Sequence, residues 1–128
     1  MLLYPPLLTS PRKVSPVIQN GVLVVAEIGI SHQGNMKLAK KLIRKAHDCG
    51  AHIAKFQLYD VDTLFPAKEI VVDSRNWYKE VKQTQLTFEQ TKWLKETCEE
   101  TGIEFLASTF DLERLGWLEK LGVTRHKA

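Results

Sequence analysis

Cysteine is scarce in this chain of 128 residues, with Cys49 and Cys98 the only two. No Cys-x-x-Cys or His-Glu-x-x-His run occurs, and no pair among His32, His47, His52 and His126 has metal-site spacing, which excludes the familiar zinc signatures. No apolar stretch approaches the ~20 residues of a membrane span. The opening Met1–Leu8 is short, interrupted by Pro5 and Pro6 and preceded by no basic residue, so it does not read as a signal peptide. Without an export signal, the two cysteines are expected to be buried thiols in a reducing cytoplasm. Charge of one sign is also lacking: Lys+Arg 18 against Asp+Glu 15 leaves +3. A nucleic-acid footprint needs a concentrated basic stripe. The densest cluster here, Lys37, Lys40, Lys41, Arg44 and Lys45, runs along one helix-like segment and reads as a solvated face. Proline is rare outside the first 20 residues, where Pro5, Pro6, Pro11 and Pro16 make four of the five. Residues 1–20 therefore read as an extended lead-in with room for a short hairpin.

What is present is a regular alternation. Apolar residues at 44% and charged ones at 26% describe a globular chain. Val22–Gly29 is a nearly continuous β-branched run, the mark of a parallel strand covered on both faces. Asn35 caps a helix with Ala39, Leu42, Ile43 and Ala46 inward, closing at Gly50. Ile53–Leu58 is a second strand. Thr87, with Gln90 three residues on, starts a second helix by a capping box, with Phe88, Thr91, Leu94 and Cys98 inward and Gly102 at its end. Ile103–Ser108 is a third strand. Asp111 caps a third helix with Leu112, Leu115, Leu118 and Leu121 inward, ending at Gly122, and Val123–Ala128 begins a fourth strand. Strand and helix in strict alternation require a parallel sheet, either doubly wound or a (β/α)₈ barrel. A whole barrel needs about 250 residues, so three and a half βα units read as its N-terminal half. One connection breaks the rhythm. Tyr59–Leu86, 28 residues, far exceeds the usual link of about 2–6. With Phe65, Val71, Val72, Trp77 and Tyr78 it is too apolar for plain disorder, and it reads as a lid or a partner-contact loop.

Strand alternation sorts side chains into faces. Val25, Glu27 and Gly29 share one; Ile53, Lys55 and Gln57 share another, leaving Ala54, Phe56 and Leu58 for the helix layer. In the fourth strand Lys127 points the same way as Arg125. Charged groups inside such strands are expensive to bury unless paired or serving chemistry. Glu27 and Lys55 therefore read either as a register pair or as functional groups at the strands' C-terminal ends. Lys55 and Lys127 together would hold a carboxylate or phosphate as point charges. In a chain this short, Val25, Ile53 and Leu106 would face water. Gly34 before a helix start is a weak anion-cradle signal, and His32, taken alone, reads as a hydrogen-bonded structural histidine.

Ala26-Glu27-Ile28-Gly29, Ser31-His32-Gln33-Gly34, Gly50-Ala51, Ala54-Lys55-Phe56-Gln57, the Gly102–Asp111 run and the terminal His126-Lys127-Ala128 together resemble the N-terminal part of the sialic acid synthase family. That family comprises N-acetylneuraminate synthases and their pseudaminic and legionaminic acid relatives. The resemblance covers residues 21–128 and keeps motif order throughout. It implies a (β/α)₈ barrel, usually followed by a small antifreeze-like domain. It also implies condensation of phosphoenolpyruvate with an N-acyl amino sugar, N-acetylmannosamine-like, to a nonulosonic acid with release of phosphate. A divalent metal, Mn²⁺ or Mg²⁺, is implied for the full-length family enzyme, with ligands outside this chain, and so is a homodimer. By the same resemblance Glu27 contacts the acceptor sugar, Lys55 and Lys127 hold phosphoenolpyruvate with Gln57 beside them, and Ser108 and Phe110 line the sugar site. His32, at the same mouth, joins the substrate-binding candidates. Two departures stand out: Ser31 replaces the family's Asn, and Ala107-Ser108-Thr109-Phe110 replaces Ser-Thr-Pro-Phe. The alternatives are a non-catalytic ligand-binding or subunit-interaction module, and another phosphoenolpyruvate-dependent barrel aldolase.

Overall fold

The computed structural model describes residues 21–127, so the lead-in expected over 1–20 lies outside it. Ten elements follow in order: β1 (Val25–Gly29), α1 (Met36–Asp48), β2 (Ile53–Leu58), α2 (Val61–Leu64), β3 (Val71–Val72), β4 (Arg75–Asn76), α3 (Trp77–Gln83), α4 (Phe88–Thr101), β5 (Glu104–Thr109) and α5 (Leu112–Lys120). β1, β2 and β5 form a parallel sheet in that order, with β2 central. This is the α/β architecture of a partial (β/α)₈ barrel. Phe56, Leu58, Ala54 and Phe105 leave the sheet on the side where Ala39 and Ile43 of α1 and Leu94 and Cys98 of α4 meet them in one core.

The helix boundaries follow the predicted signals. Asn35 accepts a hydrogen bond from the Leu38 N–H, and Thr87 and Gln90 exchange both bonds of a capping box. Gly50, Gly102 and Gly122 take left-handed conformations at the three helix ends, as an αL C-terminal position demands.

Several expectations need correction. β1 begins at Val25, not Val22, because the Val24 N–H is taken by Nδ1 of His52 rather than by a strand carbonyl. Residues 123–127 do not pair as a strand. The segment meets β5 through Arg125 Nε, which donates to Glu104 (2.8 Å), and through Val123, which joins the core with Ile103 and Phe105. A cavity of about 170 Å³ lined by these three apolar residues and Thr124 lies along the junction. Leu112 is 85% exposed, and Arg114 is buried in its place. A strict i+3 series drifts by about 60° per step on a helix of 100° per residue, so the line that buries Leu118 carries Leu112 out to solvent. Ile53 and Leu106 are buried; of the three residues expected to face water only Val25 does, at 41%. Cys49 caps α1 in an exposed position, whereas Cys98 is buried and its thiol is pushed up to about 12 by desolvation.

The 28-residue connection is not a plain loop. It holds α2, the β3–β4 hairpin with Asp73 and Ser74 both left-handed at its turn, and α3. It is fixed to the sheet ends at its C-terminal side. Gly34, at positive φ, lies against the Gln83 carbonyl, where a Cβ would come within 2.1 Å of the oxygen. The contact that demands glycine here is with a backbone acceptor, and the Gly34 N–H donates to Nδ1 of His32. Gly34 is thus a packing glycine and not an anion cradle.

Candidate functional site

Register brings the candidate side chains together. Glu27 stands opposite Lys55 across β1–β2, and Gln57 opposite Ser108 across β2–β5. Lys55 and Gln57 are two apart on β2, so they share a face. The Lys55 ammonium donates to Glu27 Oε2 at 2.5 Å, with the lysine side chain 11% exposed and the carboxylate 55%. A lysine buried to this degree requires its counter-charge. The open side of Glu27 leaves that carboxylate accessible to a ligand. Both residues stand mid-strand rather than at the strands' ends.

A bulge shapes the floor. Glu27 pairs with Lys55 but Gly29 with Phe56, so Ile28 is an extra residue on β1. Bulges re-aim side chains where a strand ends beside a site. At Gly29, which has positive φ, a Cβ would lie 3.5 Å from Glu27 Oε1 and 3.8 Å from Gln57 Oε1. Glu27 and Gln57 thus flank one small backbone position, with Lys55 paired to Glu27. Beyond Gln57, at the C-terminal ends of β2 and β5, Tyr59 is buried and Phe110 is 52% exposed, their rings edge to face at 6.0 Å. Ser108 is half-buried.

His32 goes elsewhere. It is fully buried and packs its ring at 6.2 Å from Phe56, a residue of the face opposite Lys55. Its Nδ1 accepts from Gly34, so the neutral ring carries its proton on Nε2, which finds no partner among the described residues. Desolvation holds its pKa below the usual 6.5. Lys127 is exposed, in the segment that does not join the ladder.

Sequence reasoning passed over two groups. Tyr59 directly follows the last residue of β2, and that position was its only signal. Arg114 lies under the α5 N-terminus, its guanidinium 4.7 Å from the Trp117 ring and its Nη1 3.3 Å from Asp111 Oδ2. It borders a cavity of about 630 Å³ with Asp62, Lys82, Phe88, Glu89 and Trp117, away from Lys55 and of mixed charge. Among the described residues no group of three or more His, Cys, Asp or Glu side chains could hold a metal ion, so the site as described does not fit one. No helix is long and apolar enough to cross a membrane, among the same residues.

The sequence profile of the NeuB family matches residues 42–128. The chain is 32% identical to the N,N'-diacetyllegionaminic acid synthase of Legionella pneumophila (strain Philadelphia 1), an alignment covering 92% of this chain and 36% of that protein. It is 35% identical to the human N-acetylneuraminate-9-phosphate synthase over 82% of this chain and 31% of that one. Among solved structures, the N-acetylneuraminic acid synthetase of Leptospira borgpetersenii serovar Hardjo-bovis, in complex with citrate, superposes with a TM-score of 0.73 at 30% identity, covering 82% of this chain and 35% of that one. The chain spans about a third of the length of these relatives.

Proposed function

The chain belongs to the NeuB family, and from that premise we propose that it supplies the donor-anchoring part of a nonulosonic acid synthase. In this reading phosphoenolpyruvate, an N-acyl amino sugar of the N-acetylmannosamine type and water react. The enol carbon bonds to the sugar's aldehyde carbon, water adds its oxygen at the donor's C2, and the C2–O bond to phosphate breaks to release phosphate. The observation that carries it is the buried Lys55 beside Glu27 and Gln57 on one face of the sheet. The donor bears a carboxylate and a phosphate, and a desolvated ammonium is the group that recognises such charge. An ammonium has three donors, so pairing with Glu27 does not exhaust Lys55. Glu27, open on one side, accepts from the hydroxyls of the incoming sugar. Gln57 offers an amide donor and acceptor beside them, and Ser108 and Phe110 supply a hydroxyl and an apolar face to the sugar. Lys127 would join the donor site only if its segment paired beside β5. Attack of the enol carbon on the sugar's aldehyde carbon builds charge on the aldehyde oxygen, and the field of the lysine favours that charge. A divalent cation, Mn²⁺ or Mg²⁺, is implied by the family likeness; its ligands would come from outside the described residues, and no step above runs through it.

The test is steady-state kinetics of the polypeptide as its gene encodes it, followed by phosphate release, with each substrate varied in turn. Glu27→Gln should lower kcat/KM for the amino sugar at least ~10-fold, about 1.4 kcal/mol, through loss of a charge-assisted acceptor. Unchanged acceptor kinetics with a tighter donor would reduce Glu27 to a counter-charge. The exposed Val71, Val72 and Trp77 favour a second reading, in which the 60–86 segment is a subunit contact. Substituting both valines by Ser would then shift the sedimentation coefficient and leave donor binding alone.

A further inference from the structure

We propose that Tyr59 is a positioning residue of the acceptor pocket, fixing the Phe110 ring and seating the 60–86 segment as a stationary wall of that pocket. The inference rests on the reading of Phe110 as a sugar-lining group. Phe110 is 52% exposed, and an aromatic ring so open has little else to hold its orientation. Its backbone is tied to β2, because the Phe110 N–H donates to the Leu58 carbonyl at 3.1 Å. Its ring meets the Tyr59 ring at 82°, the edge-to-face arrangement that aromatic quadrupoles prefer. Tyr59 is itself 3% exposed and is gripped at its other end. Its hydroxyl, the Thr84 hydroxyl and the Val81 carbonyl form a closed triangle. Two protons serve its three contacts. The Thr84–Val81 contact of 2.8 Å is closer than the Tyr59–Val81 contact of 3.2 Å, so Thr84 donates to the carbonyl and Tyr59 to Thr84.

The same end of α3 is held from two further directions. Gly34 abuts the Gln83 carbonyl, and the Gln85 side chain accepts from the Val61 N–H at 2.9 Å. Anchors from the loop after β1, the end of β2 and the start of α2 thus converge on residues 81–85. A segment pinned at three points beside the mouth is a wall and not a swinging lid, and Tyr59 is the one anchor that also touches Phe110.

Two variants of the polypeptide as encoded separate the parts. Tyr59→Leu removes ring and hydroxyl but keeps an apolar side chain; Tyr59→Phe removes the hydroxyl alone. Tyr59→Leu should raise the acceptor KM about 3- to 10-fold, the range an edge-to-face ring pair is worth, while the phosphoenolpyruvate KM stays within about twofold of wild type on the same ground. Tyr59→Phe should speed amide hydrogen exchange across residues 79–86 and raise the acceptor KM by less than Tyr59→Leu does. An unchanged acceptor KM in Tyr59→Leu, or equal rises in both KM values, would overturn the positioning role. Unchanged exchange in Tyr59→Phe would overturn the wall, and that arm stands even if the leucine variant does not fold. Absence of wild-type turnover with every amino sugar tried would instead overturn the synthase reading, and this inference with it.

Discussion

His32 holds its proton on Nε2 because Nδ1 is occupied as an acceptor, and full burial makes the charged ring costly. The unfolded chain takes up a proton near pH 6.5, whereas the folded chain does so only at lower pH. Across that interval the unfolded state binds more protons, so stability falls as pH drops below 6.5. Melting temperatures from pH 7.5 to 5 should decline, and the decline should be shallower in His32→Gln, where no titrating ring remains. Parallel curves for the two proteins would remove His32 as the cause. Glu27 and Lys55 were legible as residues at odds with their strands, and register confirmed them as neighbours. That His32 would turn to the Phe56 side was not legible, since a loop histidine has no face until the loop's bonds are known.

At the scale of elements, α3 is held against the loop after β1 with no room for a side chain at Gly34. Gly34→Ala should place a methyl on the Gln83 carbonyl and force a left-handed alanine, lowering stability by roughly 1–3 kcal/mol or more and increasing proteolysis within residues 60–86. Wild-type stability and protease resistance would show that the contact is not fixed. Caps and left-handed glycines spoke plainly in the sequence, because Thr87 with Gln90 and Gly102 act through bonds a few residues long. The 60–86 segment did not, because α2, β3, β4 and α3 are 4, 2, 2 and 7 residues long, too short for periodicity to register. The leucine line on α5 misled by its spacing: four residues at i+3 cannot all face one side, and Arg114 took the place assigned to Leu112.

For the whole molecule, the sheet order β1-β2-β5 leaves the outer edges of β1 and β5 without strand partners among the described residues. Val22 and Val24, just before β1, and Val25, its first residue, are 64%, 51% and 41% exposed. Unpaired edges with apolar flanks recruit further strands. The 128-residue chain should therefore associate with increasing concentration in sedimentation velocity, and a single monomeric species at all concentrations, melting cooperatively, would contradict this. The alternation of strand and helix made this partial barrel readable from sequence. The long-range contacts Tyr59 on Phe110 and Gly34 on Gln83 join residues 51 and 49 positions apart and leave no local trace. The central claim is that Lys55 anchors the donor anion. Isothermal titration of phosphoenolpyruvate into the polypeptide as encoded, beside its Lys55→Met variant, tests it most directly. Saturable binding that weakens by ~2–5 kcal/mol in the variant, the range for losing one partner of a buried charge pair, is the predicted result; equal affinity in the two proteins, or none in either, would contradict it.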